Sequence, residues 1–485
     1  MKKLNKILLA ALAVTLFSCD NEFDNPVEEF KATSGQADFS KYISLGNSLT
    51  SGYTDNALFK SGQENSYPYI LAGLMKAAGG GEFKIPFMKD DIGGFTNLGV
   101  AGKLELKIVN GSLTPVATAA QSAFESVAAA GPYQNVGVPG AKSYHLIAPG
   151  YGNPAGIAAG TANPYFARFN SSAAGTVLDY ASAQNPTFFS LWIGNNDVLG
   201  YATAGGTGKD QKGNLDPSTY KTDDISDPNV VKSALNTILN KLVVEKKAKG
   251  VIANIPSVTS VPYFTTVPNM PITGLSDAIA NTLNSAQGYG AYNAGLGQVK
   301  AAGLLSDAEY QARLIKFTPG ATANGAVIID KDLTNLAALG LPSYRQTTAK
   351  DLIVFTAASI LPQGYGTQTP LEDKWVLTEK EVAKAEAAVT AYNAAILELA
   401  NAYGLALVDA YSEMKKLSSQ TGIRYYSNTY TTTFVSGGAF SLDGVHLTGT
   451  GYAIVANMFV EAINKKYGST LRQVYPGNYP GIKIP

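Results

Sequence analysis

Apolar and polar positions along the chain form short apolar runs that alternate with longer segments of helical spacing. Each apolar run is ended by glycine or by a polar loop, as expected for strands of a buried sheet. The run Pro186 to Ile193 is apolar enough to lie in the middle of such a sheet. Strands are predicted at residues 41–45, 133–138, 186–193, 251–255 and 405–409.

Helices are predicted between these strands, where apolar residues recur every three or four positions. One opens at Thr378, because Thr378 and Glu381 form a capping-box pattern. Alternating strands and helices predict an α/β fold with a mostly parallel sheet of about five strands, covered on both faces. The other main helices are predicted at residues 67–78, 229–249 and 451–466.

Two segments do not fit this alternation. Residues 200–228 are rich in Gly, Asp and Thr and are interpreted as a long loop. Residues 262–375 contain their own helical and β-prone pieces, so they are interpreted as a large insertion before the fifth strand that could cover a site or hold substrate. The main domain is expected to span residues 39–470, followed by a C-terminal extension over 471–485.

The N-terminus combines a basic start with a short apolar run. Lysines precede the run Ile7 to Phe17, which at about 11 residues is too short for a membrane span of roughly 20. A small residue before Cys19 ends the run, and the segment resembles a bacterial lipoprotein signal. Residues 1–18 are therefore expected to be the signal peptide. The alternative is an ordinary signal peptide that is cut near a coincidental cysteine.

Cys19 is the only cysteine in the chain, so a disulfide framework is excluded. Its thiol is expected to carry lipid, and several acyl chains would hold the protein on a bilayer stably. Residues 19–38 are acidic and contain Pro and Gly, which is typical of a flexible tether. The expected location is the bacterial cell envelope, with the protein anchored by lipid in the outer membrane and facing the periplasm or the surface.

The composition indicates a folded core and limits which kinds of binding partner are expected. The chain has 485 residues, of which 45% are hydrophobic, enough for a sizeable core. Lys and Arg number 37, as do Asp and Glu, so the net charge is +0. No global field favours nucleic acid, and no nucleic-acid partner is expected.

The chain has only two histidines, which limits the candidates for a catalytic base. The only two are His145 and His446, and His446 lies just before the last predicted helix, three residues after Asp443. Ser48 follows the first predicted strand in the stretch SLGNSLTSG. A serine nucleophile needs a base to take its proton and a carboxylate to orient that base. Asp443 and His446 can meet if their loop forms a single turn. For His145, a structural or solvent-facing role is favoured.

Two further segments supply uncharged hydrogen-bond donors. Gly140 lies in NVGVPG after the second strand, and Asn196 lies in GNND after the third. The carboxyl ends of parallel strands meet at one edge of the sheet, so these loops should converge there. The amides of Gly140, Asn196 and Ser48 suit a developing oxyanion.

The order Ser, Gly, Asn, then Asp and His resembles the SGNH/GDSL-type hydrolases. The blocks that carry this resemblance are GNSLTSG, NVGVPGA, GNND and DGVHLT. It implies a flavodoxin-like three-layer α/β/α fold and esterase or lipase-type acyl hydrolysis without a metal or other cofactor. It puts the nucleophile on Ser48, the oxyanion donors on the Ser48 amide, Gly140 and Asn196, and the acid and base on Asp443 and His446. Asn47 departs from the pattern, because that family has Asp there.

Other enzyme classes fit less well. An α/β-hydrolase needs a GxSxG elbow, which the chain lacks, and two histidines with one cysteine are too few for a zinc hydrolase. The GGTGKD stretch at residues 205–210 does not have phosphate-loop spacing and is interpreted as a surface loop. A catalytically inactive binding lipoprotein on the same fold stays open. So does the choice between a lipid ester and an acylated glycan as substrate, and the oligomeric state is not predicted.

Overall fold

Five parallel strands form the central sheet of the computed structural model, which describes residues 31–485. Cys19, residues 1–18 and the first part of the predicted tether lie outside the described residues. The sheet strands are β1, β4, β5, β6 and β11, in the spatial order β4-β1-β5-β6-β11. In chain order the strands are β1 (Tyr42–Gly46), β2 (Leu104–Val109), β3 (Ser112–Ala117), β4 (Asn135–Gly137), β5 (Phe188–Trp192), β6 (Lys249–Ala253), β7 (Val327–Ile329), β8 (Tyr344–Gln346), β9 (Leu352–Ile353), β10 (Val376–Leu377), β11 (Ala406–Val408), β12 (Ile423–Tyr425) and β13 (Asn428–Tyr430).

The sheet strands are apolar because both faces of the sheet are covered. All five residues of β1 and all five of β5 are buried, as a parallel sheet between helix layers requires. When the five sheet strands are numbered 1 to 5 in chain order, their order across the sheet is 2-1-3-4-5. This is the flavodoxin-like arrangement. The predicted α/β fold class with a parallel sheet of five strands is therefore confirmed.

The helices pack on the sheet and on each other. In chain order they are α1 (Ser48–Ser51), α2 (Lys60–Glu64), α3 (Tyr67–Lys76), α4 (Pro164–Ala167), α5 (Val177–Ser182), α6 (Asn196–Thr203), α7 (Pro228–Leu239), α8 (Pro262–Thr265), α9 (Asp277–Asn284), α10 (Tyr289–Ala301), α11 (Asp307–Arg313), α12 (Glu379–Ala402), α13 (Ala410–Leu417) and α14 (Gly449–Tyr467). α3 packs against α14, and α7 packs against α12. The capping box at Thr378 forms as predicted and starts α12.

Two details differ from the sequence pattern. The helix predicted over 229–249 ends earlier, because α7 passes into a wider helical turn at Asn240–Glu245 and Lys249 already belongs to β6. The hairpin β2–β3 was not predicted, although its turn carries Asn110-Gly111, both at positive φ, which is a hairpin signal.

The segment between β6 and α12 contains α8 to α11 and two small antiparallel pairs, β7–β8 and β9–β10. Buried Arg345 ties it together, with its guanidinium bidentate to Asp351 and a further contact to Asp330. The Tyr263 N–H at the start of this segment donates to the Gly444 carbonyl at 2.9 Å. The segment therefore contacts the loop that carries Asp443 and His446.

Residues Thr33–Pro485 form one compact unit. Over the described part of the chain, every helix is too short or too polar to cross a bilayer.

Candidate active site

Ser48 lies at the end of β1, where a tight turn leads straight into α1. Gly46 allows this turn, because a Cβ there would come within 2.1 Å of Thr50 Oγ1 and 2.4 Å of the Trp192 carbonyl oxygen. Asn47 caps α1 by accepting a hydrogen bond from the Leu49 N–H at 3.1 Å. Ser48 is thus the first residue of the helix.

His446 bridges Ser48 and Asp443. Its Nε2 lies 2.9 Å from Ser48 Oγ, and its Nδ1 lies 2.7 Å from Asp443 Oδ2. An ionised Asp443 accepts a hydrogen bond from Nδ1–H, which leaves the unprotonated Nε2 as the acceptor for the serine hydroxyl. The three side chains therefore form the chain of contacts that a serine nucleophile and its base require.

Asp443 is held in place by its own loop. Its Oδ1 accepts the backbone N–H groups of Val445 and His446, both at 2.8 Å. Burial acts to raise the pKa of Asp443, but the charge and hydrogen bonds of His446 hold that pKa well below its usual value. Asp443 is therefore ionised across the neutral range.

A second loop, at Asp55 and Asn56, reinforces the carboxylate. The Asn56 N–H donates to Asp443 Oδ2 at 2.9 Å, and Asp55 accepts the Leu442 N–H at 3.0 Å. Both residues of this loop are left-handed, with φ of 49° and 61°. Asp and Asn tolerate that conformation better than other non-glycine residues, so the dipeptide itself was a usable signal that sequence reasoning missed.

Tyr53 packs against the imidazole of His446. Its ring centroid lies 4.7 Å from that of His446, and its hydroxyl donates to the Asn56 carbonyl at 2.6 Å. The Tyr452 hydroxyl in turn donates to the Tyr53 carbonyl. Tyr53 therefore limits how far the His446 ring can move.

The three predicted oxyanion donors follow the carboxyl ends of β1, β4 and β5, at the same edge of the sheet. Within the described chain, neither the Ser48 N–H nor the Gly140 N–H has a partner. Asn196 lines the same cavity as Ser48 and His446, and its Nδ2 donates one hydrogen to the Ala141 carbonyl at 2.9 Å. The second Nδ2 hydrogen stays available. Gly140 has φ of +80° in the loop after β4, and it does not line that cavity.

Asp197 holds the loop that carries Gly140 in place. This fully buried carboxyl accepts the Ser143 N–H at 2.8 Å and the Ser143 hydroxyl at 2.9 Å. Burial raises its pKa. Asp197 thereby joins the loop after β4 to the start of α6, which also carries Asn196.

Asn47 occupies the position at which the resembled family has Asp. Besides capping α1, its Nδ2 donates to Asn195 Oδ1 at 3.1 Å. A carboxylate in this place could only accept, so the Asn195 amide would have to turn and donate to it. Asn195 lines the cavity beside Ser48. In this chain, two side-chain amides thus join the first and third loops.

His145 does not join this site. Its Nδ1 accepts the Lys142 N–H at 3.0 Å, and its ring stacks on Tyr151 at 4.5 Å. Burial, with a smaller effect from the Lys142 charge, lowers its pKa to about 4. The side chain is a neutral packing element of the loop after β4.

Among residues 31–485, no cluster of three or more His, Cys, Asp or Glu is arranged to hold a metal ion.

The fold and the site together define a flavodoxin-like α/β protein with a Ser-His-Asp arrangement at the switch point of its sheet. No protein-family model matches the chain, and neither does any curated protein.

Several solved structures are similar to it at low identity. An inferred GDSL-like lipase from Parabacteroides merdae is 12% identical, with 89% of this chain and 99% of that chain covered and a TM-score of 0.31. A catalytic mutant of an acetylxylan esterase from Geobacillus stearothermophilus is 11% identical, with 88% and 95% covered and a TM-score of 0.29. An extracellular lipase from Streptomyces rimosus is 12% identical, with 88% and 98% covered and a TM-score of 0.28.

Proposed function

We propose that the protein hydrolyses acyl esters with Ser48 as nucleophile. The observation that carries the proposal is the position of His446, whose two ring nitrogens lie 2.9 Å from Ser48 Oγ and 2.7 Å from Asp443 Oδ2. A histidine held between a hydroxyl and a carboxylate in this way has the geometry of a general base. The resemblance to SGNH/GDSL-type hydrolases points to the same chemistry.

In the acylation step, His446 Nε2 takes the Ser48 proton while Ser48 Oγ attacks the carbonyl carbon of the ester. The negative charge on the carbonyl oxygen is met by N–H donors of Ser48, Asn196 and Gly140. The tetrahedral intermediate collapses when His446 gives the proton to the leaving alkoxide oxygen. The products of this half-reaction are the alcohol and an acyl ester on Ser48.

Deacylation repeats these roles with water. His446 Nε2 takes a proton from the attacking water, and the second tetrahedral intermediate releases the carboxylic acid as the proton returns to Ser48 Oγ. Asp443 stays ionised throughout and stabilises the imidazolium in both steps.

The location belongs to the proposal as well. Lipid on Cys19 would keep the enzyme in the bacterial cell envelope, near lipid esters and acylated glycans. Incorporation of labelled palmitate into the full-length protein, and its loss in Cys19→Ser, tests this part. A wild-type protein that is cleaved but carries no label would contradict lipidation without affecting the proposed chemistry.

The chemistry is tested on the protein lacking its signal, with nitrophenyl butyrate as substrate. We expect Ser48→Ala and His446→Ala each to lower kcat by about 10³ to 10⁶. Ser233→Ala, which changes an exposed serine on α7, is the matched control and should keep the wild-type rate. Equal rates for wild type and Ser48→Ala would rule out the nucleophile and favour the alternative, an inactive binding protein on this fold.

A further inference from the structure

A cavity of about 90 Å³, partly open to solvent, extends from the Ser48–His446 pair into the space between α13 and α14. At the Ser48 end, its polar lining residues belong to the site or adjoin it. Away from that end, the lining is almost entirely apolar. Glu413 is the polar exception, and its carboxylate pairs with Lys416.

The two helices line the cavity with matching stripes. α13 contributes Ala410, Glu413, Met414 and Leu417, and α14 contributes Gly451, Ile454, Val455 and Met458. Both sets follow the spacing i, i+3, i+4, i+7, which places their members on one face of a helix. Such a stripe ordinarily packs directly on its neighbour, whereas here the two stripes also border an accessible space.

The length of the stripe sets the size of what it can accommodate. Gly451 to Met458 spans about 10 Å at about 1.5 Å per residue. An extended alkyl chain advances about 1.3 Å per carbon, given C–C bonds of about 1.5 Å. Thr448 caps α14 just after His446, so this stripe starts beside the imidazole and leads away from it. The cavity therefore matches an alkyl chain of about eight carbons whose first carbon is bonded to Ser48.

We propose that this cavity is an acyl-chain site and that the natural substrates are esters of medium-chain aliphatic acids. The inference rests on the proposed function, and it narrows that function from esters in general to lipid-type esters. A sugar placed between the stripes would leave its hydroxyls without partners, which is costly in an apolar site. An acetyl group would leave most of the apolar stripe without contact. The acyl side of the ester is therefore the part that the protein selects.

The first test compares nitrophenyl esters from acetyl to palmitoyl. Each methylene transferred from water to the apolar lining is expected to raise kcat/KM by about fourfold. We expect the increase to continue to about eight carbons and then to stop or reverse. Highest kcat/KM for the acetyl ester, together with loss of activity in Ser48→Ala, would overturn the acyl-chain site and leave the proposed hydrolysis standing.

The second test narrows the cavity. Met414→Trp and Met458→Trp enlarge half-buried side chains of the two stripes. We expect each to lower the ratio of kcat/KM for octanoyl over acetyl esters at least tenfold. Leu397→Trp, a matched substitution at an exposed position of α12, should keep the wild-type ratio. An unchanged ratio in both cavity variants, with wild-type unfolding temperatures, would contradict the proposal.

A third test measures the binding of a fatty acid to the cavity in a protein that lacks the nucleophile. Trp192 lines the cavity, and the only other tryptophan is Trp375, so Trp375→Phe leaves one fluorescent reporter. In the Ser48→Ala, Trp375→Phe protein, 8-bromooctanoate should quench Trp192 saturably and bromoacetate should not. Met414→Trp and Met458→Trp are omitted here because each adds a tryptophan.

The two proposals fail in different ways. Saturable quenching in a protein that hydrolyses no ester would leave the acyl-chain site standing and remove the catalytic proposal. Equal quenching by 8-bromooctanoate and bromoacetate, in a protein whose hydrolysis depends on Ser48, would remove the acyl-chain site alone.

Discussion

Asn47 and Asn195, which are 148 residues apart, are joined by a side-chain hydrogen bond of 3.1 Å. Asn47 follows β1 and Asn195 follows β5, two neighbouring strands at the switch point of the sheet. Because Asn47 directly precedes Ser48, the contact fixes the turn that presents Ser48 to His446. It connects the site's first and third loops through buried polar groups.

Asn47→Ala removes this contact and the cap of α1 together. We expect it to lower the free energy of unfolding by about 2 to 3 kcal/mol, because a cap contributes about 1 and a buried donor or acceptor is left unpaired. Asn47→Asp keeps the acceptor for the Leu49 N–H and adds a charge that the helix N-terminus favours. The Asn195 amide can turn and donate to the new carboxylate. The free energy of unfolding of Asn47→Asp should therefore fall by no more than about 1 kcal/mol.

Urea unfolding and ester hydrolysis of the two Asn47 variants check this. Asn47→Asp should keep kcat within about tenfold of wild type, since the proton path through His446 is untouched. An Asn47→Ala protein as stable as wild type would show that the link to Asn195 has no energetic role.

Asn196 is expected to act on the transition state. Asn196→Ala and the isosteric Asn196→Asp both remove the free N–H donor, so each should lower kcat by about 10² to 10³ with a smaller change in KM. Steady-state kinetics with nitrophenyl butyrate separates the two parameters. Asn401→Ala, at an exposed position of α12, is the control. An Asn196→Asp enzyme with wild-type kcat would remove this side chain from the oxyanion donors.

Arg345 should contribute strongly to the stability of the segment between β6 and α12. It is bidentate to Asp351, which is fully buried, so Arg345→Ala leaves a buried carboxylate without its charged partner. The expected loss is about 3 to 5 kcal/mol in urea unfolding. Lys350→Ala breaks an exposed pair with Glu379 and should cost less than about 1 kcal/mol. Equal losses in the two variants would contradict a structural role for the buried pair.

The sheet could be predicted from the sequence because its strands are buried on both faces. β1 and β5 are fully buried runs that are apolar except for one serine each, and glycine or a polar loop ends each of them. The order of Ser48, Gly140, Asn196, Asp443 and His446 could also be found, since each lies in a short motif next to a predicted element.

The supports of the site could not be predicted in the same way. Asn56 reaches Asp443 across 387 positions, and no local periodicity encodes such a contact. The hairpin β2–β3 carried a usable turn signal, but only one residue of its two strands is buried, so their apolar pattern is weak. The cavity between α13 and α14 depends on how two helices are spaced, which the stripes alone do not reveal.

Asp55 makes the stability of the protein depend on pH. Burial is the main cause that raises its pKa to about 6, with a smaller contribution from the charge of Asp443. An unfolded aspartate titrates near 3.9, so the folded state binds this proton more tightly than the unfolded chain does. The ionisation of Asp55 therefore removes stability as the pH rises from about 4 to 6, and the loss persists above 6.

Asp55→Asn keeps an acceptor for the Leu442 N–H and cannot ionise. Relative to wild type, its stability should rise by about 1 to 3 kcal/mol between pH 4 and pH 7 in urea unfolding. Asp216→Asn is the control of opposite sign, because hydrogen bonds from Ser218 lower the pKa of that exposed carboxyl. Removing it should cost the variant stability relative to wild type as pH rises. If the Asp55→Asn difference stays constant across this range, the pKa of Asp55 is the same in the folded and unfolded states, and the predicted pH dependence is wrong.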